Sequence, residues 1–402
     1  MQLDKLKAGK GRFALLLVLG AMAAFPAIST DLYLPGFPQV AQDFGVTVPQ
    51  VQVTLSATFF GLGIGMMLWG PASDNRGRKN PALLGIGVYV LGSLLCALAP
   101  NLAVLTIARF LQALGGAAAV VVGRAIVRDL YEGQVMARTM AGVQSVFLIA
   151  PILGPSIGAF ILQFGNWPWL FVFLAAFGVL GFFGVSRLPE TLPPAARARQ
   201  DARGAIRQYA LILRDKSFAF AVLQAAAASF MIFGFVSSAP AVFMGEFGLS
   251  QSAFGVMFGV NAIGLVGATQ INRAVLKRLS VAKALRYAVA IQATGALSMW
   301  VFGSIWPNLW VVLPLLLITT MTGPAIAGNS TTLAMANFPN SAAQASALVG
   351  LVQSLSSTII SAVLAFVPIA PLPKMLAALG IVAIAALLVL IARERQLAGS
   401  GK

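Results

Sequence analysis

In 402 residues the chain has 59% apolar and only 9% charged side chains, a net charge of +16, one cysteine and no histidine. Soluble domains average about 45–50% apolar and about 25% charged residues, so this composition belongs to a polytopic membrane protein with little mass outside the bilayer. Without histidine or a second cysteine, intrachain disulfides, imidazole metal sites, Ser/His or Cys/His nucleophilic pairs and histidine proton relays are excluded, and the positive balance reads as a topology signal rather than a nucleic-acid footprint.

Apolar runs between Gly, Pro and charge breaks predict an all-α protein with twelve transmembrane helices. Six fall at 13–34, 50–72, 81–99, 102–127, 139–163 and 168–186, and six more at 218–244, 252–272, 287–305, 309–334, 343–367 and 372–392. The first run is too long for a removable leader and lacks a small-residue cleavage motif, so it is expected to persist as span one. Residues 187–217 contain Pro189, Pro193, Pro194 and seven basic residues, which predicts a solvated linker with a short amphipathic helix over 202–213. The linker separates an N-terminal six-helix half, 1–186, from a C-terminal half, 218–402. A displacement of about 205 residues aligns the halves in span order, the pattern of two parallel transporter repeats with pseudo-twofold symmetry.

Lysine and arginine are distributed one-sidedly. The even-numbered connections and both termini carry 24 of the 27, Lys374 alone lies in an odd-numbered connection, and Arg109 and Arg124 fall inside span four. The termini and the central linker are therefore expected in the cytoplasm.

Ionised groups inside a span are costly and mark function. Asp31, Arg109 and Arg124 are the three that qualify. Asp31 and Arg109 are expected about 10 Å and about 8 Å to the outer side of mid-membrane, and Arg124 about 15 Å to the inner side. If spans one and four are neighbours, Asp31 is the acid that can load and release a proton beside the Arg109 cation. The alternative for Asp31 is a wet cap at the outer end of span one before Pro35 and Pro38, and for Arg109 a structural anchor on backbone carbonyls. Pro26, Pro151, Pro155, Pro240 and Pro324 interrupt spans and favour bends, most of all where Ala150-Pro151-Ile-Leu-Gly154-Pro155-Ser-Ile-Gly158 lines one face of span five with small residues. The connection Gly70-Pro71-Ala-Ser-Asp74-Asn-Arg76-Gly77-Arg78-Lys79 combines a tight turn at Gly77 with an acid that can meet a basic partner or a helix N-terminus.

That connection resembles the cytoplasmic signature of the major facilitator superfamily, and Arg109-Phe-Leu-Gln112-Ala-Leu-Gly115 resembles its span-four motif. Gly154-Pro155-Ser156-Ile157-Gly158 is similar to the span-five motif of drug/proton antiporters. Ser29-Thr-Asp31-Leu-Tyr-Leu-Pro35-Gly-Phe-Pro38, Val127-Arg-Asp-Leu-Tyr131 and Pro189-Glu-Thr-Leu-Pro-Pro194 are similar to the bicyclomycin/chloramphenicol resistance (Bcr/CflA) subfamily. The resemblance implies an exporter of the bacterial inner membrane that trades protons for drug-like molecules; no cofactor is expected, and the chain is expected to act as a monomer. The resemblance puts proton coupling on Asp31 and Arg109, and conformational roles on Asp74, Gly77, Arg78, Arg124, Gly154, Pro155 and Gly158. Asn75, Ala150 and Ala159 depart from the usual motif residues, and the second-half counterpart of the cytoplasmic loop, near Asn272-Arg273 and Lys277-Arg278, is degenerate.

Candidate substrate contacts are Tyr33, Gln144, Phe147, Phe230, Asn261, Asn329 and Gln353, each of which also reads as a helix–helix hydrogen bond or ordinary packing. A proton-coupled exporter or importer of a metabolite on the same fold is the competing function. A membrane-embedded transferase lacks its nucleophile–base pair or second intramembrane acid, and a channel lacks its ring of like charges.

Overall fold

The computed structural model describes residues 9–197, 211–336, 338 and 342–399. The helices are α1 (Gly9–Asp31), α2 (Phe37–Asp43), α3 (Val48–Val51), α4 (Val53–Arg76), α5 (Lys79–Ala97), α6 (Leu102–Leu130), α7 (Gly133–Phe164) and α8 (Pro168–Ser186). After the linker come α9 (Lys216–Ala239), a π-helical segment (Pro240–Glu246), α10 (Gln251–Val275), α11 (Val281–Ile305), α12 (Leu309–Met321), α13 (Gly323–Ala336), α14 (Ala342–Phe366) and α15 (Pro371–Gly399). Eleven helical segments among the described residues are long and apolar enough to cross a membrane, and the C-terminal part of α7, Leu153–Phe164, is a shorter apolar stretch in the fifth position. Most of the amphipathic helix expected over 202–213 lies outside the described residues.

Span one is longer than the sequence suggests. Pro35 and Pro38 mark its end in a linear reading, yet each occupies a first-turn position, in a 3₁₀ turn (Leu34–Gly36) and in α2, where proline's fixed φ and missing N–H cost nothing. The apolar segment therefore runs from Phe13 to Asp43. Asp31 falls about 5 Å from its middle rather than about 10 Å outward, and it is 5% exposed instead of standing as a wet cap.

The prolines differ in effect. Both α1 and α7 run unbroken through Pro26 and through Pro151 and Pro155, whereas Pro240 opens the π-helical segment and the tenth span divides at Thr322, just before Pro324.

Contacts divide the chain into two compact units, Met1–Thr47 with Ala57–Asp201, and Val48–Ser56 with Ala202–Lys402. In the first, α5 packs on α6 and α8, and α1 lies against α6, α7 and α8. Gly85 and Gly115 face each other across the α5–α6 contact, where a Cβ on either would overlap the other helix, so backbones touch as small residues allow in a bilayer. In the second unit α9 holds the corresponding place against α13, α14 and α15, while α11 packs on α12 and α15.

Candidate functional site

The first unit buries Arg109 completely, on α6. Its Nη1 donates to the Ser29 carbonyl at 3.1 Å and to Gln112 Oε1 at 2.5 Å. Gln112 Nε2 in turn donates to Ser93 Oγ at 2.8 Å, the Ser93 hydroxyl donates to the Tyr89 carbonyl, and the Tyr89 and Ser29 hydroxyls share a 2.8 Å hydrogen bond. One chain of polar contacts thus joins α1, α5 and α6. The guanidinium also lies 5.0 Å from the ring centre of Tyr33 and 5.6 Å from that of Phe171, within cation–π range. Among the described residues, its Nε and Nη2 have no hydrogen-bond partner.

Asp31 ends α1, two residues beyond the Ser29 carbonyl that Arg109 holds. Spans one and four are neighbours, but among the described residues no ion pair joins Asp31 to Arg109. The expected pair is replaced by a neutral acceptor set around the cation.

The acid is pressed instead against α7. A Cβ on Gly154 would lie 2.9 Å from the Asp31 Cβ, and one on Gly158 would overlap the Leu32 carbonyl oxygen. Pro155 is buried beside them. The small face of span five therefore seats the α1 backbone at the acidic residue.

A second cluster sits at the loop joining α4 and α5. Gly77 takes φ 90°, open to glycine and strained for other residues. Arg78, 6% exposed, bonds Asp74, and its Nε donates to Asp129 Oδ2 at 2.8 Å. Burial acts against the charge on Arg78, but Asp129 and Asp74 outweigh it and move its pKa up. The Thr191 hydroxyl donates to the same Asp129 oxygen at 2.9 Å. Glu190 accepts the backbone N–H groups of Arg78 at 2.8 Å, Lys79 at 3.2 Å and Leu192 at 3.0 Å. Burial alone would raise the Glu190 pKa; these N–H groups and that of Thr191 overcome it and hold the carboxyl below its ordinary value.

Other candidate residues are dispersed. Arg124 is exposed on α6, Phe230 on α9 and Gln353 on α14 are half-buried, and Tyr33 is fully buried against Arg109. Asn261 Oδ1 accepts the Thr320 hydroxyl at 2.6 Å, tying α10 to α12. Asn329 and Asn272 exchange two amide hydrogen bonds, at 3.1 and 3.2 Å, tying α13 to α10. Both asparagines are helix–helix links here. Gln144 and Phe147 belong to a stretch of α7 whose side chains lie outside the described residues. Sequence reasoning passed over Tyr89, Ser93 and Phe171 around Arg109 and quoted Ser29 without giving it a role. It quoted Asp129 and Glu190 without giving them a role, although acids kept among the basic loops were the available signal.

A family model described as Major Facilitator Superfamily matches residues 17–361. The chain belongs to the major facilitator superfamily. It is 32% identical to an uncharacterized MFS-type transporter, YdgK, of Bacillus subtilis (strain 168), over 88% of this chain and 89% of that one. Identity is 28% to a bicyclomycin resistance protein homolog of Haemophilus influenzae, over 89% and 90% of the two chains. It is 31% to a chloramphenicol resistance protein of Pseudomonas aeruginosa, over 70% and 67%. Among solved structures, that of a D-xylose–proton symporter matches with TM-score 0.75 at 16% identity, covering 94% of this chain and 97% of that one, a likeness of fold.

Proposed function

We propose that this membrane protein exports drug-like lipophilic molecules from the bacterial cytoplasm in exchange for protons, by alternating access of its two six-helix halves. It works as a monomer in the inner membrane with both termini in the cytoplasm, and the proton is its coupling ion, with no cofactor. Relatives bearing the names bicyclomycin resistance protein homolog and chloramphenicol resistance protein support the substrate class.

The observation that carries the coupling reading is a buried Asp31, without an ion-pair partner among the described residues, two residues beyond the Ser29 carbonyl that a buried Arg109 holds with two donor nitrogens to spare. A carboxylate without a partner in a dry site is expensive, so an unpaired acid keeps its proton. Once α1 turns the acid toward the spare N–H groups of Arg109, the anion gains a charge-assisted partner and the proton leaves. Because α7 clasps α1 at Gly154 and Gly158, a bend of α7 and the protonation of Asp31 change together. One acid and one arginine leave the rest of the site to apolar, amide and hydroxyl groups, which suits neutral or zwitterionic substrates.

The test is internal pH in energised inverted vesicles on adding chloramphenicol, native protein against Asp31→Asn. Drug-dependent proton release in the native vesicles alone supports the reading. An equal response from both moves coupling to another group, and silence to a panel of drugs turns the function toward metabolite export.

A further inference from the structure

The loop between α4 and α5 neutralises its own charge: Arg78 meets Asp74 and Asp129, and Glu190 closes over the start of α5. The loop between α10 and α11 holds the same place in the second unit without those acids. Asn272 stands three residues before the end of α10, much as Asp74 stands two before the end of α4, and a neutral amide replaces the carboxylate. From Arg273 to Arg286 there are five cations and no acid. The α15 end that packs on α11 supplies Glu394, which is consumed by Arg286 and flanked by Arg393 and Arg395. Among the described residues Arg273 bonds only the neutral Gln270, and Arg273, Lys277, Arg278 and Lys283 are all exposed.

Below these cations runs a stripe with the polarity of a lipid. Lys283, Tyr287 and Ile291 recur every four residues, so they share one face of α11. All three are exposed, Tyr287 by 57% and Ile291 by 51%. The order along the helix is cation, then aromatic ring, then aliphatic chain, which matches phosphate, interface and acyl region. A soluble anion would satisfy the cations and leave Tyr287 and Ile291 unused.

We propose that the Arg273–Lys283 turn and the Tyr287/Ile291 face together bind an anionic phospholipid of the cytoplasmic leaflet, its phosphate replacing the carboxylates that the first unit supplies internally. This takes the orientation of the chain from the function proposed above, but not the substrate or the proton coupling.

The experiment titrates delipidated full-length protein in detergent with phosphatidylglycerol, phosphatidylcholine or inorganic phosphate, and counts adducts by native mass spectrometry. Native protein should retain phosphatidylglycerol over phosphatidylcholine. The variant Lys277→Gln/Arg278→Gln/Lys283→Gln should bind it roughly ten-fold or more weakly, since each cation near the surface contributes separately. A control removing three exposed cations elsewhere, Arg187→Gln/Arg214→Gln/Lys216→Gln, should bind as the native protein does. Tyr287→Ser/Ile291→Ser should also weaken the lipid adduct while leaving any phosphate adduct unchanged. Equal retention by native and triple variant, no preference over phosphatidylcholine, or displacement by inorganic phosphate at matching concentration would each overturn the proposal. All of these readouts are independent of drug transport.

Discussion

Gly154 on α7 and Asp31 on α1 are in backbone-scale contact, with room for no Cβ between them: one placed on the glycine would lie 2.9 Å from the Cβ of the acid. One turn on, Gly158 is tighter still, against the Leu32 carbonyl. Gly158→Ala must push the helices apart, at a cost of about 1–3 kcal/mol for overpacking. Its thermal midpoint in detergent should fall and its drug-driven proton flux should drop with it. Ser156→Ala, at an exposed position between the two glycines, should change stability by less than about 0.5 kcal/mol. Equal behaviour of the two variants would remove the α1–α7 clasp from the mechanism.

Among the described residues, Gln112 is the only side-chain acceptor on Arg109. Gln112→Ala leaves the cation with the Ser29 carbonyl alone and takes a donor from Ser93, and losing a buried partner of this kind costs about 1–3 kcal/mol. Arg109→Lys should be at least as damaging, because an ammonium cannot reproduce the planar fork or its packing against Tyr33 and Phe171. Thermal unfolding of both variants with drug-driven flux measured alongside checks this, and a native-like Arg109→Lys would mean that only the charge matters.

The spans and the three charges within them were legible because each rests on local composition and apolar runs. The surroundings of Arg109 were not. Ser29 and Tyr89 are 60 residues apart and Gln112 and Ser93 are 19 apart, and no periodicity announces that their side chains meet. Depth arithmetic put Asp31 and Arg109 at one level and suggested a pair, but the direction of each side chain decides pairing, and Arg109 turns to a carbonyl and an amide. Span one was cut short at Pro35 because a proline that breaks a helix and one that begins a helix look alike in a list of residues. Asn261 and Asn329 were readable as substrate contacts and, more readily, as helix–helix links, and their partners Thr320 and Asn272 came into view only with the structure.

The turn at Gly77 tests strain and crowding separately. Gly45 also has positive φ, 64°, but nothing lies within 4 Å of a Cβ there, whereas a Cβ on Gly77 would meet Glu190 Oε2 at 2.5 Å. Gly45→Ala should cost only the backbone penalty of about 1–2 kcal/mol. Gly77→Ala should cost more, since it also displaces the carboxylate from the N–H groups of Arg78 and Lys79. Thermal midpoints give the order, and a larger loss at Gly45 would contradict the geometry.

Glu190 gives this cluster a pH dependence of definite sign. Its carboxyl is held below the ordinary value of 4.5, so the native state binds its proton less readily than the unfolded chain does. The contribution is fully present above about pH 4.5 and is lost as pH falls through the lower native value. Glu190→Gln should lower the midpoint at neutral pH and narrow its gap to the native protein as pH drops from 5 toward 3. A gap that widens on acidification would reverse the assignment.

The reciprocal amide pair between Asn272 and Asn329 separates a structural link from a substrate contact. If the two asparagines serve each other, removing either one breaks both hydrogen bonds, so the second substitution adds little. Asn272→Ala and Asn329→Ala should then each lower the thermal midpoint, and the double variant should fall short of the sum. Coupling should lie near the about 0.6 kcal/mol typical of hydrogen bonds between membrane helices, and no higher than about 1.7 kcal/mol. Drug selectivity should follow the native pattern in all three variants. Additive losses, or a selectivity change confined to Asn329→Ala, would instead place Asn329 against substrate.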